Sequence, residues 1–579
     1  MKFIPNISIE VFRGQLATAN AQPQLALLGL ITGIVTALVI VAFRFLIEHG
    51  SVLLIGMQDS ESYEELTVVT RVAWCLGGAI LLAVLLNRYS PSARRVGVVH
   101  VMERLTRHQG YLPLRNAVIQ FFGGAIALIS GQSGGREGPA IHLGATAASL
   151  LGQQFHLPNN SIRTMVACGT ASAIAASFNT PIAGVIFAME VVMMEYTIAS
   201  FVPVIVASVA ATLTSQFFFG NAPAFNVAPV EMTSALEIPY LLLGGLFIGT
   251  VAAGFNQMIQ RFASLSSWPF WVRMLLAGSL TAATAVLLPG VMGIGYDTVN
   301  DIMIGEVSIL LLVALLFGKA ITSAASVGLG MPVGLIGPTM VLGACSGGIF
   351  GNLLLQFQDT SISVGLYVML GMCAMMAAVL QAPLAALMTV MELTANTNII
   401  LPAMVIIIAA TLVTSHVFGQ GSVFLTTLNT LGLQYPLNPV AMHLQRVGVT
   451  ALMDRSFVRL PESIDHNKAL EVVGRNLNWI LVESKDGTSV RAALNPADLA
   501  AFMEERGDSD EDVDLLELPG QRMDITYVDA QATANEVAQA LARSEADVCC
   551  VQRTTAPMIK PIIGIVTQNH LENYRKQST

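Results

Sequence analysis

The chain has 579 residues, of which only 12% are charged, well below the roughly 25% that is typical of soluble domains. Of its 67 Asp, Glu, Lys and Arg residues, 32 fall in the first 440 positions and 35 in the last 139. The charge density of the first 440 residues is too low to solvate a globular surface. We therefore predict a membrane domain over residues 1–440 and a water-soluble tail over residues 441–579. The net charge of −9 argues against nucleic acid as a partner.

Apolar stretches of helical length recur through the first 440 residues and predict an all-α domain embedded in the lipid bilayer. Glycine and proline interrupt many of them, and such breaks survive in lipid only where protein or a water-filled cavity receives the freed backbone groups. Residues 320–358 hold eight glycines and no charge, which predicts a pore-lining re-entrant structure with close packing of small residues. The apolar stretches are 24–46, 73–86, 117–130, 201–219, 239–256, 272–289, 308–317 and 400–418.

The sequence contains an internal repeat that aligns without gaps. Residues 169–190 (GTASAIAASFNTPIAGVIFAME) align with residues 371–392 (GMCAMMAAVLQAPLAALMTVME), and seven of the 22 positions are identical. Upstream, residues 135–145 (GREGPAIHLGA) match residues 334–344 (GLIGPTMVLGA) at six positions. Two related halves predict a duplicated transporter fold whose substrate site lies where the broken helices of the halves meet. The alignment leaves parallel and inverted halves open.

Glu137 is the residue that most strongly indicates a function. Arg136 and Glu137 are the only charged residues between Arg115 and Arg163, and an isolated carboxylate is costly in a membrane unless it faces a cavity, is paired or is protonated. The neighbouring glycines expose backbone N–H groups, and Pro139 favours the first turn of a helix, whose N-terminus attracts anions. We therefore predict that Glu137 occupies the place of an anion when ionised and leaves it when protonated. The alternative is a structural Arg136–Glu137 ion pair.

These motifs resemble the CLC family of chloride channels and proton–anion exchangers. Residues 135–139 (GREGP) resemble the segment that carries the family's external gating glutamate, and residues 334–338 (GLIGP) are similar to its GxFxP segment. The resemblance extends over residues 24–430. It implies an inverted repeat with broken helices, a voltage-gated homodimer in a bacterial inner membrane, and one anion pathway per subunit. It also implies that helix N-termini hold the anion, and the matching positions are Arg136, Gly138, Leu335 and Ile336.

The sequence departs from the family at the two side chains that touch the central anion. In the family a serine hydroxyl supplies one contact, and at the matching position this chain has Val96, followed by Gly97. The family's tyrosine, which supplies the second hydroxyl, aligns with Phe424. We therefore expect a site that depends on backbone N–H groups and discriminates poorly among anions.

A third departure concerns proton coupling. The family's exchangers place an internal proton-relay glutamate directly after the glutamate that matches Glu190, and here that position is Val191. Because valine cannot carry a proton, we predict uncoupled, channel-like transport. The alternative is a proton-coupled exchanger with a non-standard proton path, for which Glu195 is one candidate, although we expect Glu195 at the cytosolic interface.

The tail resembles a pair of CBS modules and is predicted to be a small α/β cytosolic domain. The segments LNPADLAAF and IIGIVTQNHLENY are its recurring strand–turn–helix ends. Such pairs often bind adenine nucleotides, and the aspartate that binds ribose in this motif matches Asp498 in the first module but His570 in the second. Thr567 is a candidate phosphate or ribose contact. The alternative is a dimerisation and docking domain without a ligand, and no other cofactor or metal is predicted.

Two other classes of protein compete with anion transport. The segment GQSG (131–134), with His100 and His142 as bases, matches the GxSG motif of rhomboid-type intramembrane proteases, but four residues in a glycine-rich chain are weak evidence. A protease would also have no use for the duplication, so we predict that the protein is not an enzyme. A cation transporter would need several acidic ligands together, and the candidates lie in separate motifs: Glu137, Glu190 and Glu392.

Overall fold

The computed structural model divides into two compact units. The membrane unit comprises Leu25–Gln154 and Ile162–Pro436, and the tail unit comprises Met1–Gln24, Phe155–Ser161 and Leu437–Thr579. The structure describes residues 9–18, 21–56, 62–225, 232, 234–305, 307–357, 363–433, 439–484, 489–506, 511–553 and 561–577.

The tail unit contains two segments that lie before residue 441 in the sequence. Within it, Asn160 Nδ2 donates to the Leu16 carbonyl at 3.0 Å, and the Gly448 N–H donates to the Ala17 carbonyl at 2.9 Å. These hydrogen bonds explain why the N-terminal residues and the connection Phe155–Ser161 group with the C-terminal part of the chain. The tail unit is therefore larger than residues 441–579, because it also contains Met1–Gln24 and Phe155–Ser161.

The membrane unit is helical, and each of the eight predicted apolar stretches coincides with a helix, which confirms that part of the prediction. The stretch 272–289 extends four residues beyond the end of its helix, Phe270–Ala285. Among the described residues, seven helices are long and apolar enough to cross a membrane. After α1 (Ile9–Leu16) of the tail unit, the helices are α2 (Gln22–Ile55), α3 (Val68–Asn87), α4 (Gly97–Arg107), α5 (Leu114–Ile129), α6 (Glu137–Gln154), α7 (Asn159–Phe178), α8 (Pro181–Phe187), α9 (Ile198–Phe219), α10 (Ile238–Ala263), α11 (Phe270–Ala285), α12 (Tyr296–Ile304), α13 (Ile309–Gly328), α14 (Ile336–Phe357), α15 (Val364–Leu380), α16 (Pro383–Thr394), α17 (Ile400–Leu412) and α18 (Val423–Thr430).

The segment predicted to be re-entrant contains a break between two helices. Residues 329–335 separate α13 from α14, and the glycine-rich loop ends where α14 begins at Ile336. The equivalent loop before α6 ends at Glu137. Both halves of the repeat therefore place a helix N-terminus directly after a Gly-rich loop, as the sequence alignment predicts.

The aligned halves also pack in the same way. A Cβ atom at Gly144 of α6 would meet the Gly169 carbonyl of α7, and one at Gly169 would meet the Gly144 carbonyl. Gly343 of α14 and Gly371 of α15 show the same mutual approach. Only a residue without a side chain permits backbones this close, so the predicted packing of small residues is observed in both halves.

The tail unit is an α/β fold in which one supersecondary pattern occurs twice. In the first copy β1 pairs in parallel with β3, which pairs antiparallel with β4; in the second, β6, β7 and β8 repeat this order. One helix precedes and one follows each antiparallel pair. The elements are α19 (Pro439–Leu444), β1 (Phe457–Leu460), β2 (Ser463–Ile464), α20 (His466–Val473), β3 (Trp479–Glu483), β4 (Val490–Leu494), α21 (Pro496–Arg506), β5 (Val513–Asp514), β6 (Ile525–Asp529), α22 (Ala534–Ser544), β7 (Val548–Gln552), β8 (Ile562–Thr567) and α23 (Gln568–Gln577).

Candidate functional site

The two glycine-rich loops of the repeat meet inside the membrane unit. The Gly135 N–H donates to the Gly334 carbonyl at 2.8 Å, and the Gly334 N–H donates to the Gly135 carbonyl at 2.6 Å. The pairing is antiparallel, so the equivalent segments of the two halves run in opposite directions where they touch. A Cβ atom at Gly138 would lie 2.8 Å from the Gly334 Cα, which explains why glycine is required at this junction.

Glu137 places its carboxylate at this junction. The side chain is fully buried, and its Oε1 accepts a hydrogen bond from the Tyr296 hydroxyl at 3.3 Å. Gly337, in the first turn of α14, also adjoins the carboxylate, because a Cβ atom there would lie 3.2 Å from Oε1. Oε2 has no hydrogen-bond partner among the described residues. The carboxylate therefore occupies the N-terminus of the second broken helix, which is where an anion would be held.

Arg136 does not pair with the neighbouring carboxylate. Its Nη1 lies 3.4 Å from Glu48 Oε1, its Nη2 donates to the Ser177 carbonyl at 3.2 Å, and its guanidinium stacks over the ring of Phe178. Glu48 also pairs with Arg44 at 3.0 Å. The alternative of a structural Arg136–Glu137 ion pair is thus not what the structure contains. Its Nε has no hydrogen-bond partner among the described residues.

A cavity of about 520 Å³ lies in the membrane unit next to this junction. Its wall at Val96 and Phe424 is apolar, as the two departures from the family motif require. The Gly97 N–H is already bonded, because it donates to Gln120 Oε1 at 2.8 Å, while Gln120 Nε2 donates to the Pro332 carbonyl at 3.0 Å. The residues of the predicted anion site on the cavity wall are Val96, Gly97, Gly138, Leu335, Ile336 and Phe424.

Positive charges border the same cavity. Arg94 and Arg273 both approach the ring of Phe270, at 4.6 Å and 5.3 Å from its centroid. Arg95 also lines the cavity and pairs with Glu103. A cleft that carries more positive than negative charge raises the local concentration of anions.

The predicted proton path comprises Glu137 on α6, Val191 and Glu195, and Val191 lies on a π-helical turn, Ala188–Met193, that follows α8. Val191 is buried with only 4% of its surface exposed. Glu190 is bound to the start of α16, where its Oε2 accepts the Ala385 N–H at 2.6 Å. Glu195 follows this turn and is half-buried.

Two polar groups mark the predicted nucleotide site in the tail unit. Asp498 lies in the first turn of α21 and packs against Gly520. Thr567, at the end of β8, is bonded to His570, whose Nδ1 lies 3.1 Å from both the Thr567 backbone nitrogen and its hydroxyl oxygen. The His570 side chain therefore caps the start of its own helix, α23, by accepting the Thr567 N–H.

The protease alternative does not fit the side-chain contacts. Ser133 Oγ lies 2.8 Å from Ser323 Oγ and 3.0 Å from Thr322 Oγ1. The two histidines proposed as bases bond to each other instead, with His100 Nδ1 2.9 Å from His142 Nε2. Among the described residues the serine thus has hydroxyl partners rather than a base, so the contacts do not support the protease alternative.

Sequence reasoning missed several residues of this site. Tyr296, Glu48 and Gln120 each contact a motif residue more than 20 positions away along the chain, and no local pattern marks Glu48 or Gln120. Tyr296 follows Gly295, whose φ of 88° starts α12, and this turn was the available signal. The pairing of His100 with His142 was equally invisible in the sequence.

Comparison with known proteins identifies the family. The model of the voltage gated chloride channel family matches residues 78–415, which is more than half of the chain, and the chain belongs to this family. It is 29% identical over 415 residues to a putative chloride channel protein ClcB-like of Ralstonia nicotianae, covering 70% of this chain and 96% of the relative. It is 30% identical over 352 residues to the H(+)/Cl(−) exchange transporter ClcA of Vibrio parahaemolyticus, covering 58% and 74%.

Solved structures share the fold. A slow cyanobacterial Cl−/H+ antiporter superposes with a TM-score of 0.62 at 19% identity, over 71% of this chain and 99% of that one. A eukaryotic CLC transporter superposes with a TM-score of 0.60 at 18% identity, over 94% of this chain and 97% of that one. The protein is therefore a multi-pass membrane protein with the CLC fold and belongs to a family of anion transporters and channels.

Proposed function

We propose that the chain conducts chloride-like anions through the cavity described above and that the Glu137 carboxyl group is the gate. The observation that carries this proposal is the position of that carboxylate against Gly337 in the first turn of α14, directly beside the cavity wall at Ile336. An ionised carboxylate and an anion would compete for the same N–H groups. Protonation removes the charge, so the side chain leaves and an anion enters.

Chloride efflux from reconstituted vesicles tests the route. Val99 lies on the cavity wall, and we expect Val99→Trp to fill the cavity and reduce efflux at least tenfold. Val118→Trp is the matched control, because Val118 is 45% exposed on the outer surface of the membrane unit. Equal efflux from the Val99→Trp variant and the wild type would contradict a route through this cavity.

Uncoupled, channel-like flux is the second part of the proposal. Val191 is apolar and buried, and the adjacent Glu190 is held by backbone amides of α16. Neither residue offers a free titratable group for protons. Proton-coupled exchange is the alternative. The names of several relatives, which are called H(+)/Cl(−) exchange transporters, favour it.

Regulation by a CBS pair in the tail is the third part. Two observations support it: the strand and helix pattern of the tail unit repeats, and the superposition on the eukaryotic CLC transporter covers 94% of this chain. An adenine nucleotide is the proposed ligand, with Asp498 and Thr567 as contacts. A nucleotide could regulate transport only by binding two conformations with unequal affinity.

The assembly is proposed on the family resemblance alone. It is a voltage-gated homodimer in a bacterial inner membrane, with one pathway in each subunit and the tail in the cytosol. The mass of the protein in detergent tests the dimer. Labelling of intact cells with a membrane-impermeant thiol reagent, after a cysteine is introduced into the tail of the protein, tests on which side of the membrane the tail lies. A monomeric mass or a tail labelled from outside would contradict these proposals.

A further inference from the structure

Two buried histidines form a hydrogen-bonded pair inside the membrane unit. His100 on α4 and His142 on α6 are 5% and 0% exposed, and His100 Nδ1 lies 2.9 Å from His142 Nε2. Their rings are nearly parallel, with an interplanar angle of 29°. Neither the gate nor the anion contacts described above use this pair.

The pair lies between the cavity and α6, the helix that carries Glu137. His100 lies on the cavity wall beside Gly97 and Gly138. His142 lies on α6, the helix that begins at Glu137, and its Nδ1 has no hydrogen-bond partner among the described residues. A fully buried ring nitrogen without a partner is uncommon, and a functional role is one explanation for it.

We propose that the His100–His142 pair binds a proton when an anion occupies the cavity. In the neutral pair one N–H bridges the two rings, so one further ring nitrogen is basic: His100 Nε2 if His100 donates, or His142 Nδ1 if His142 donates. A proton that enters at His100 Nε2 makes His100 the imidazolium. If the bridging proton then moves to His142 Nε2, the positive charge moves with it, and the number of protons in the pair is unchanged.

The charges around the pair explain why the proton and the anion bind together. A positive charge on a buried imidazole is unfavourable, and further positive charges close to it increase the cost. An anion in the cavity offsets both effects, and by linkage the proton then tightens the binding of the anion by the same factor. The titratable and charged groups on α4 and on the segments packed against it are Arg95, Glu103, Arg104, Arg107, His108, Glu137, Arg163 and Glu190. None lies on α18 within Val423–Thr430.

This proposal rests on the proposed anion route through the cavity, but not on whether flux is coupled to protons. In a channel the pair would make anion occupancy depend on pH at the cavity side. In an exchanger it would supply the titratable group that Val191 does not. Its role is distinct from that of Glu137, because neutralising Glu137 leaves the pair intact.

The test measures chloride affinity by calorimetry on the full-length protein in detergent, in the Glu137→Gln background. We expect affinity to increase about fivefold or more from about pH 8 to about pH 5.5, at the lower end of typical couplings, with uptake of protons on chloride addition. Adding His100→Gln should abolish both the increase and the uptake. Adding His108→Gln should leave them unchanged, because His108 is exposed at the end of the same helix.

The outcomes separate the two proposals. Chloride affinity that does not change with pH in the Glu137→Gln protein, or a pH dependence that survives His100→Gln, overturns the proton site alone. Absence of chloride binding in the wild type overturns the anion route and the proton site with it. If the His100→Gln protein does not fold, His100→Asn replaces it, with the same expectation.

Discussion

Glu190 and Glu392 each bind the start of the helix that belongs to the other half of the membrane unit. Glu190 accepts the N–H groups of Leu384 and Ala385 at 3.3 Å and 2.6 Å. Glu392 accepts the equivalent N–H groups, those of Ile182 and Ala183, at 3.0 Å and 2.8 Å. The contact is reciprocal, as expected for two segments related by a local two-fold axis. Both glutamates are therefore helix caps, which accounts for their occurrence at the same place in each repeat.

Removing either cap should destabilise the protein. We expect Glu190→Ala and Glu392→Ala each to lower the free energy of unfolding by about 1 kcal/mol, since two amides lose their acceptor. The midpoint of thermal unfolding in detergent measures the effect. Glutamine variants are the matched controls, because their amide oxygen still accepts one N–H group and the loss should be smaller. Unchanged midpoints in both alanine variants would show that these hydrogen bonds do not stabilise the fold.

Neutralising the gate should remove most of the pH dependence of flux. In the wild type we expect anion efflux to increase as the pH falls, because protonation frees Glu137 from the first turn of α14. Glu137→Gln should conduct at a high rate that varies little with pH. Efflux from reconstituted vesicles across a pH series measures this, and Glu195→Gln serves as the carboxylate control. A wild-type pH profile in the Glu137→Gln protein would remove Glu137 from the gate.

Restoring the missing hydroxyl groups should strengthen anion binding. Hydrogen bonds to a charged group contribute about 1.5–3 kcal/mol each, and Val96 and Phe424 on the cavity wall supply none. We expect weak chloride affinity and poor discrimination among chloride, bromide and nitrate in the wild type. Val96→Ser and Phe424→Tyr should each tighten chloride binding about tenfold in calorimetry, while Val118→Ser should not. A tight, chloride-selective wild-type site would contradict the prediction.

The sequence predicted those features that repeat or that extend along one element. The apolar stretches predicted the helices, and the alignment of residues 135–145 with 334–344 indicated that two glycine-rich loops form one site. The sequence could not predict the contacts that join distant parts of the chain. Tyr296 reaches Glu137 across 159 positions, and Arg136 pairs with Glu48 rather than with its neighbour. Such partners are selected by the three-dimensional packing of several helices, and no periodicity marks them.

Nucleotide binding by the tail can be tested on the full-length protein. The isolated fragment 441–579 is a poor choice, because the tail unit also contains Met1–Gln24 and Phe155–Ser161. We expect ATP, ADP or AMP to raise the unfolding temperature, since a ligand that binds only the folded state stabilises it. Asp498→Ala and Thr567→Ala should each reduce the shift, whereas Glu504→Ala, at the far end of α21, should not. No shift with any of the three nucleotides would leave docking as the role of the tail.

Whether anion movement drives protons is the prediction that decides between a channel and an exchanger. Coupled exchange needs a titratable group on the cytosolic side, and Val191 occupies the position where the family's exchangers have a glutamate. Glu190 cannot replace it while its carboxylate is held by the amides of α16, because a proton on that carboxylate would weaken both hydrogen bonds. We therefore expect rapid anion flux without uphill proton movement.

The decisive measurement imposes a chloride gradient on proteoliposomes and records the pH on one side. Chloride flux with no opposing proton flux supports the channel. Protons that move against their own gradient would contradict it, and two variants would then locate the path. Loss of proton movement in Glu195→Gln, with chloride flux retained, would assign the relay to Glu195 after the π-helical turn. Loss in His100→Gln instead would assign it to the histidine pair, whose free ring nitrogen on α6 lies on the helix that carries Glu137.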